Sequence, residues 1–313
     1  MIAVLSPGQG AQSPGMLAPW LELDGIAGSL SDELDGYADA IGLDLRTLGT
    51  TADADTIKDT AVAQPLIVAT SLLALSALQA RTGDVTGWAS ATAGHSVGEY
   101  AAVAAAGVLP ATDALRLVAV RGAAMAQAAA AEATGMSAVV GGDPDEVLAA
   151  LATHDLVAAN VNGGGQIVAA GALSGLAALA DDPPAKARVI PLAVAGAFHT
   201  KYMAPAVDAV ATAAAALTPA DPRLTLLSNA DGAAVASGAD ALAALVRQIS
   251  SPVRWDLCQN TLLESGVQAV IELAPGGVLT GLARRTMRGV ETLALKSPAD
   301  LDAAADLIAR HRG

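Results

Sequence analysis

The sequence predicts an α/β protein in which a parallel sheet, covered by helices on both faces, is interrupted by a smaller ferredoxin-like insertion. Three observations predict it. Short apolar runs of strand length alternate with longer helix-patterned segments along most of the 313 residues, as parallel βαβ units require. Between residues 133 and 195 the order becomes β-α-β-β-α-β, the split βαβ arrangement. A G-x-S-x-G pentapeptide, Gly94-His95-Ser96-Val97-Gly98, ends one apolar run and opens an Ala-rich helical one, as a nucleophile-bearing strand-to-helix turn does. The expected organisation is a discontinuous main unit, residues 1–132 and 196–313, with residues 133–195 inserted.

Taken in order, residues 2–5 form an apolar first strand that runs into Pro7-Gly8-Gln9-Gly10, a turn that lets backbone approach a reacting group closely. Residues 21–40 and 60–78 carry helical periodicity, the second with Pro65 near its start. Residues 88–96 are the strand leading to Ser96, and residues 111–130 are a long helix containing Arg116 and Arg121. In the insertion, strands at 136–140, 156–161, 166–170 and 187–194 are separated by helices at 143–152, with Asp143 as cap, and 173–180. The main unit resumes at Gly196 with a helix over 200–217 and a strand over 224–228. Helices over 239–248 and 255–266, strand 268–273, helix 278–287, strand 292–295 and an amphipathic helix over 300–310 complete it.

Aromatic residues make up 2% of the chain and hydrophobic residues 53%, so the core must be built from Ala, Val, Leu and Ile, with helices packed closely. A lone cysteine, Cys258, permits no internal disulfide and fits a reducing, cytoplasmic compartment. The N-terminus lacks a signal-peptide pattern, and no uninterrupted apolar run reaches membrane-spanning length, so no membrane partner is expected. A net charge of −14 argues against a nucleic-acid surface and would repel an acidic partner except at a local basic patch. Lys186, Arg188, Lys201, Arg284, Arg285 and Arg288 are the candidates for such a patch.

Ser96, held between glycines at a helix start, is the candidate nucleophile and needs a base. Of four histidines, His311 lies at the C-terminus, His154 in an insertion loop, and His95 on the face opposite Ser96 by strand alternation, which makes its role structural. His199, in the loop Gly196-Ala197-Phe198-His199 where the main unit resumes, remains. No acidic residue stands where it would orient that imidazole, so a main-chain carbonyl in the stretch 248–252 is the candidate. Arg121 sits among apolar neighbours and must be paired, either in a salt bridge or with a substrate carboxylate, which suits a bidentate guanidinium. A nucleotide site at Gly8–Gly10 is disfavoured because no phosphate-loop Lys follows.

These segments, Gly8-Gln9-Gly10-Ala11-Gln12, Gly94-His95-Ser96-Val97-Gly98-Glu99, Arg121-Gly122 with Met125, Asn160-Val161-Asn162 with Gln166, Gly196-Ala197-Phe198-His199, and Gln248 with Pro252-Val253, occur in one order. In that order the chain resembles the malonyl-CoA:acyl carrier protein transacylases over nearly its whole length. The resemblance implies an α/β-hydrolase-like core with the ferredoxin-like subdomain inserted. It implies that Ser96 takes malonyl from malonyl-CoA as an ester, with His199 as base and then acid, and passes it to an acyl carrier protein for fatty acid or polyketide synthesis. By the same resemblance, Gln9 and Val97 N–H groups form the oxyanion hole, the Gln248 carbonyl orients His199, and Arg121 holds the malonyl carboxylate. Met125, Asn160 and Asn162 line the site, and Val97 with Phe198 accompany malonyl rather than methylmalonyl use. It implies no cofactor and a separate enzyme, expected to be a monomer. A serine thioesterase and a carrier-docking scaffold without catalysis are the competing readings.

Overall fold

Apolar runs that alternate with helices have one way to hide both faces, which is to lie inside a parallel sheet with helices on each side. The computed structural model describes residues 1–23 and 25–312. Among them the strands are β1 (Ile2–Ser6), β2 (Ala91–Gly94), β3 (Thr134–Gly141), β4 (Val157–Gly163), β5 (Gln166–Ala172), β6 (Ala187–Pro191), β7 (Thr225–Leu226), β8 (Val253–Arg254), β9 (Ala269–Glu272) and β10 (Glu291–Ala294). The main sheet has the order β10-β9-β1-β2-β7, and every pairing in it is parallel. All five residues of β1 are buried, as befits its central place, and its carboxyl end lies level with that of β2, Ser6 opposite Gly94. That edge carries the glycine turn after β1 and the Ser96 turn after β2, the crevice where open α/β sheets bind ligands.

The helices Thr60–Thr82 and Ala111–Ala131 pack closely, as the scarcity of large side chains requires. A Cβ at Gly122 would stand 2.9 Å from the Thr60 carbonyl oxygen. Thr60–Thr82 is long and apolar enough to cross a membrane, yet 83% of its most apolar window is buried inside the protein, so it is a core helix.

The second sheet has the order β6-β3-β5-β4-β8. Its first four strands are antiparallel neighbours joined through the helices Pro144–Thr153 and Leu173–Asp181, the β-α-β-β-α-β order read from the sequence. Asp143 caps the first of these helices, accepting from the N–H groups of Asp145 and Glu146. The fifth strand, β8, comes from outside residues 133–195 and pairs parallel to β4, Val253 opposite Asn160. Two residues long, it carries no periodic signal, and no local pattern marks it as a strand.

Several expected elements differ in extent. The helix expected over 21–40 is two, Ala18–Leu21 and Ala27–Ile41, and a further short helix, Leu45–Thr50, is capped by Asp44. The helix expected over 200–217 starts as a 3-10 turn, Lys201–Ala206, because Pro205 lacks an N–H, and becomes α-helical only over Val207–Ala215. The strand expected over 187–194 stops at Pro191, where residues 192–194 turn toward the crevice.

Candidate active site

Backbone crowding dictates the glycines around Ser96. A Cβ at Gly94 would run into the Gly98 carbonyl, and one at Gly98 into the Ser6 carbonyl oxygen. The turn is therefore pressed against the end of β1, and Ser96 adopts φ = +53°, a conformation that costs a non-glycine residue about 1–3 kcal/mol. Asn229 spans the turn: its Oδ1 accepts the Ser96 N–H at 2.7 Å and its Nδ2 donates to the Gly94 carbonyl at 2.7 Å. The helix Gly98–Ala105 starts immediately afterwards, and among the described residues the N–H groups of Val97 and Gln9 donate to no protein acceptor.

His199 also has positive φ, +61°, and lies 103 residues along the chain from Ser96. Its Nε2 stands 2.6 Å from the Ser96 Oγ and its Nδ1 2.8 Å from the Gln248 carbonyl oxygen. A carbonyl only accepts, so Nδ1 carries the proton and Nε2 offers its lone pair to the serine hydroxyl. Burial, reinforced by the nearby Arg121 charge, pulls the imidazole down to about 3, which keeps it a neutral base at ordinary pH.

Arg121 is fully buried, and among the described residues it forms no salt bridge. Its Nη1 donates to Gln64 Oε1 at 2.7 Å, and its Nη2 to Gln248 Oε1 at 2.8 Å and to Ser96 Oγ at 3.3 Å. Among the described residues its Nε has no partner, and its Cζ lies 5.7 Å from the centre of the Tyr100 ring. Burial depresses its pKa, but a guanidinium stays charged. A buried cation held by two neutral amides and a hydroxyl is ready for an anion.

The nearest buried carboxyl, Glu99, stands one amide away. Gln248 Nε2 donates to Glu99 Oε2 and, at 3.0 Å, to the Ser96 carbonyl, while Glu99 Oε1 accepts the Asn229 N–H at 2.7 Å. Burial pushes the Glu99 carboxyl up to about 8, against the pull of these hydrogen bonds and of Arg121.

A cavity of about 210 Å³ opens at this point between the two sheets. Ser96, His199, Gln9, Phe198, Asn160 and Asn162 all contribute to its wall. Val97 is fully buried at the helix start, and Met125 lies outside the wall, its sulfur 3.7 Å from the amide nitrogen of Gln64. His95 departs from expectation. It shares the cavity wall with Ser96 because the positive φ at Ser96 breaks strand alternation, and its Nε2 donates to Asn162 Oδ1 at 2.8 Å. Gln64, Glu99 and Asn229 escaped the sequence reading as participants. Only Glu99 left a trace there, as an acid at the start of an otherwise apolar helix.

Residues 4–303 match the acyl transferase domain family. The malonyl CoA-acyl carrier protein transacylase of Mycobacterium tuberculosis is 58% identical over 98% of this chain and the whole of that protein. The crystal structure of MCAT from the same organism superposes with a TM-score of 0.92 at 57% identity, covering 97% of this chain and 99% of that one. A malonyl-transacylase solved in complex with its type II PKS acyl-carrier protein gives 0.91 at 30% identity, covering 98% and 99%. By the family match along the chain and the identity to these relatives, it belongs to the acyl transferase domain family and, within it, to the malonyl CoA-acyl carrier protein transacylases.

Proposed function

We propose that this chain moves a malonyl group from malonyl-CoA to the phosphopantetheine thiol of an acyl carrier protein through a malonyl ester on Ser96. The observation that carries the reading is the meeting of three groups distant in sequence. Ser96 Oγ lies 2.6 Å from an imidazole nitrogen and 3.3 Å from a buried guanidinium that makes no salt bridge among the described residues. The first contact suits nucleophilic catalysis and the second selects an acyl chain that ends in a carboxylate.

His199 Nε2 takes the hydroxyl proton as Oγ attacks the thioester carbon, and returns it to the coenzyme A sulfur as the carbon–sulfur bond breaks. In the second half-reaction the carrier thiol gives its proton to the same nitrogen, the sulfur attacks the ester carbon, and Oγ is reprotonated as it leaves. The N–H groups of Gln9 and Val97 receive the negative oxygen of each tetrahedral intermediate, an arrangement supported by their lack of protein acceptors. The Gln248 carbonyl holds the imidazole tautomer, as its 2.8 Å contact with Nδ1 supports. Arg121 grips the malonyl carboxylate, with Met125 backing Gln64 behind it, while Asn160, Asn162 and Phe198 bound the acyl chain.

An acidic carrier must dock against a chain of net charge −14, so it needs a basic strip beside the cavity. The helix Val278–Thr286 supplies Val278, Leu279 and Leu282 to the cavity wall and exposed Arg284 and Arg285 in its last turn. Exposed Lys201, 3.8 Å from Asp155 Oδ2, lies two residues after His199 in the chain. These cations support docking across the mouth, in a monomeric enzyme of fatty acid or polyketide synthesis in the cytoplasm. Intact-mass spectrometry after mixing with malonyl-CoA, methylmalonyl-CoA or acetyl-CoA tests the reading. The expected result is stoichiometric malonylation that vanishes in Ser96→Ala and is discharged by carrier thiol. Steady release of malonate without accumulation of the ester would make the protein a thioesterase instead.

A further inference from the structure

We propose that Asn229 is a positioning residue for the transfer: it holds the Ser96 turn in its strained conformation and ties that turn to the element that orients His199. The inference rests on the catalytic reading of Ser96 above. Asn229 is fully buried in the loop after β7, 133 residues from Ser96, and touches neither the cavity nor the reacting atoms. Each of its polar groups is engaged. Oδ1 accepts the Ser96 N–H at 2.7 Å and the Gln248 Nε2 at 3.2 Å, and Nδ2 donates to the Gly94 carbonyl at 2.7 Å. Its backbone N–H donates to Glu99 at 2.7 Å, and its carbonyl accepts from Arg254 of β8 at 2.7 Å.

Two consequences follow from this wiring. The Ser96 N–H is consumed inside the protein and points away from the site, so the next amide, that of Val97, is the one left to face a developing oxyanion. The amide also pins both ends of the turn, Gly94 O and Ser96 N, against a backbone that would relax to negative φ if released. Gln248 touches the same Oδ1 and supplies the carbonyl that orients His199, so a shift of Asn229 moves nucleophile and base relative to each other. A displacement of about 1 Å between reacting groups costs about a hundredfold in rate.

The test compares Asn229→Ala and Asn229→Asp with the parent in single-turnover malonylation by malonyl-CoA, alongside KM for malonyl-CoA and thermal melting. The Ala variant is expected to malonylate about a hundredfold more slowly, with KM changed less than threefold, at temperatures well below its melting point. Asn229→Asp keeps the acceptor for Ser96 N–H but replaces the donor to Gly94 O by a carboxylate oxygen. Protonating that carboxyl restores the donor. The parent-to-Asp rate ratio is therefore expected to shrink as pH is lowered from 7 toward 5, a range in which neutral His199 does not titrate. A folded Ala variant that malonylates within fivefold of the parent would overturn the proposal. If the Ala variant does not fold, a pH-independent ratio for the Asp variant would do the same. Failure of the catalytic reading itself is distinguishable, because the parent would then form no ester on Ser96.

Discussion

Replacing Arg121 by Ala removes a buried positive charge beside Ser96, the proposed nucleophile, and the structure sets the size of the effect. In the free site Nη1 and Nη2 already donate to the side-chain oxygens of Gln64 and Gln248, so a malonyl carboxylate gains only the excess of charged over neutral acceptors. Those bonds already have a charged donor, so the surplus is the added ion-pair attraction, about 4 kcal/mol at 4 Å and an effective dielectric of 20, less the carboxylate's desolvation, which leaves about 2–3 kcal/mol. That corresponds to a loss of about 30- to 150-fold in kcat/KM for malonyl-CoA. The substitution also strands two buried glutamine oxygens, which lowers stability and could slow every substrate alike. The informative assay is therefore the ratio of kcat/KM for malonyl-CoA to that for acetyl-CoA, in which general damage cancels. A ratio that collapses toward unity supports the grip. A ratio unchanged from the parent, in a variant that melts cooperatively, refutes it and returns Arg121 to a purely structural part.

Four further outcomes are expected. His199→Ala should slow Ser96 malonylation by about 10²- to 10⁴-fold, measured by rapid quench and intact mass, because the 2.6 Å acceptor for the hydroxyl proton is gone. With His199 held at about 3, the rate of that step should stay level from pH 7 to 5 and fall only as pH approaches 3; a drop centred near 6.5 would contradict the buried, neutral imidazole. Glu99, raised from 4.5 to about 8, binds its proton more tightly folded than unfolded, so its contribution to stability is full below pH 4.5 and is lost as pH rises through 8. His199 acts oppositely, its depressed pKa costing stability as pH falls below 6.5, so the Glu99 effect stands clear of it between pH 6.5 and 8. Melting temperature should decline there by about 2 °C per pH unit, and Glu99→Gln should flatten that slope. Gly98→Ala should lower stability by about 1–3 kcal/mol or more in urea unfolding, since the new methyl meets the Ser6 carbonyl and backbone cannot yield cheaply.

What the sequence made legible is what local rules encode. Alternating apolar runs gave the parallel order, Asp143 before Pro144 marked a helix start, and glycines on either side of Ser96 marked a turn that side chains could not enter. The elements that escaped are those whose reason lies elsewhere in the molecule. β8 is a strand only because β4 offers it an edge, and His95 reaches the cavity only because the next residue has positive φ. The shell behind the site was hidden for the same reason. Gln64, Glu99 and Asn229 come from three separate segments, and polar residues of their kinds are ordinarily surface residues.

Gln248 explains why such a shell must be unreadable from local pattern. Its main-chain oxygen accepts from His199, its Oε1 from Arg121, and its Nε2 donates to Glu99, Asn229 and the Ser96 carbonyl. The first of these tasks falls to the backbone, which any residue type possesses, so its sign in the sequence is indirect: the lack of an acidic partner for His199, which pointed to a carbonyl in the stretch 248–252. The others need an amide, but one whose partners lie 127 to 152 residues away for Arg121, Glu99 and Ser96. The same residue therefore holds the His199 imidazole through its backbone and the Arg121 guanidinium through its side chain. Gln248→Glu separates the two tasks: it leaves the carbonyl toward His199 but places a second carboxyl against Glu99 and a counter-charge on Arg121. Because Glu also loses the donor to the Ser96 carbonyl and Asn229, all acylation should slow somewhat, but malonylation should weaken further, through KM, than reaction of Ser96 with a small neutral acylating reagent, as the substrate carboxylate competes with the new one. Equal loss toward both reagents would mean that the side chain and the backbone of Gln248 cannot be treated as separable supports.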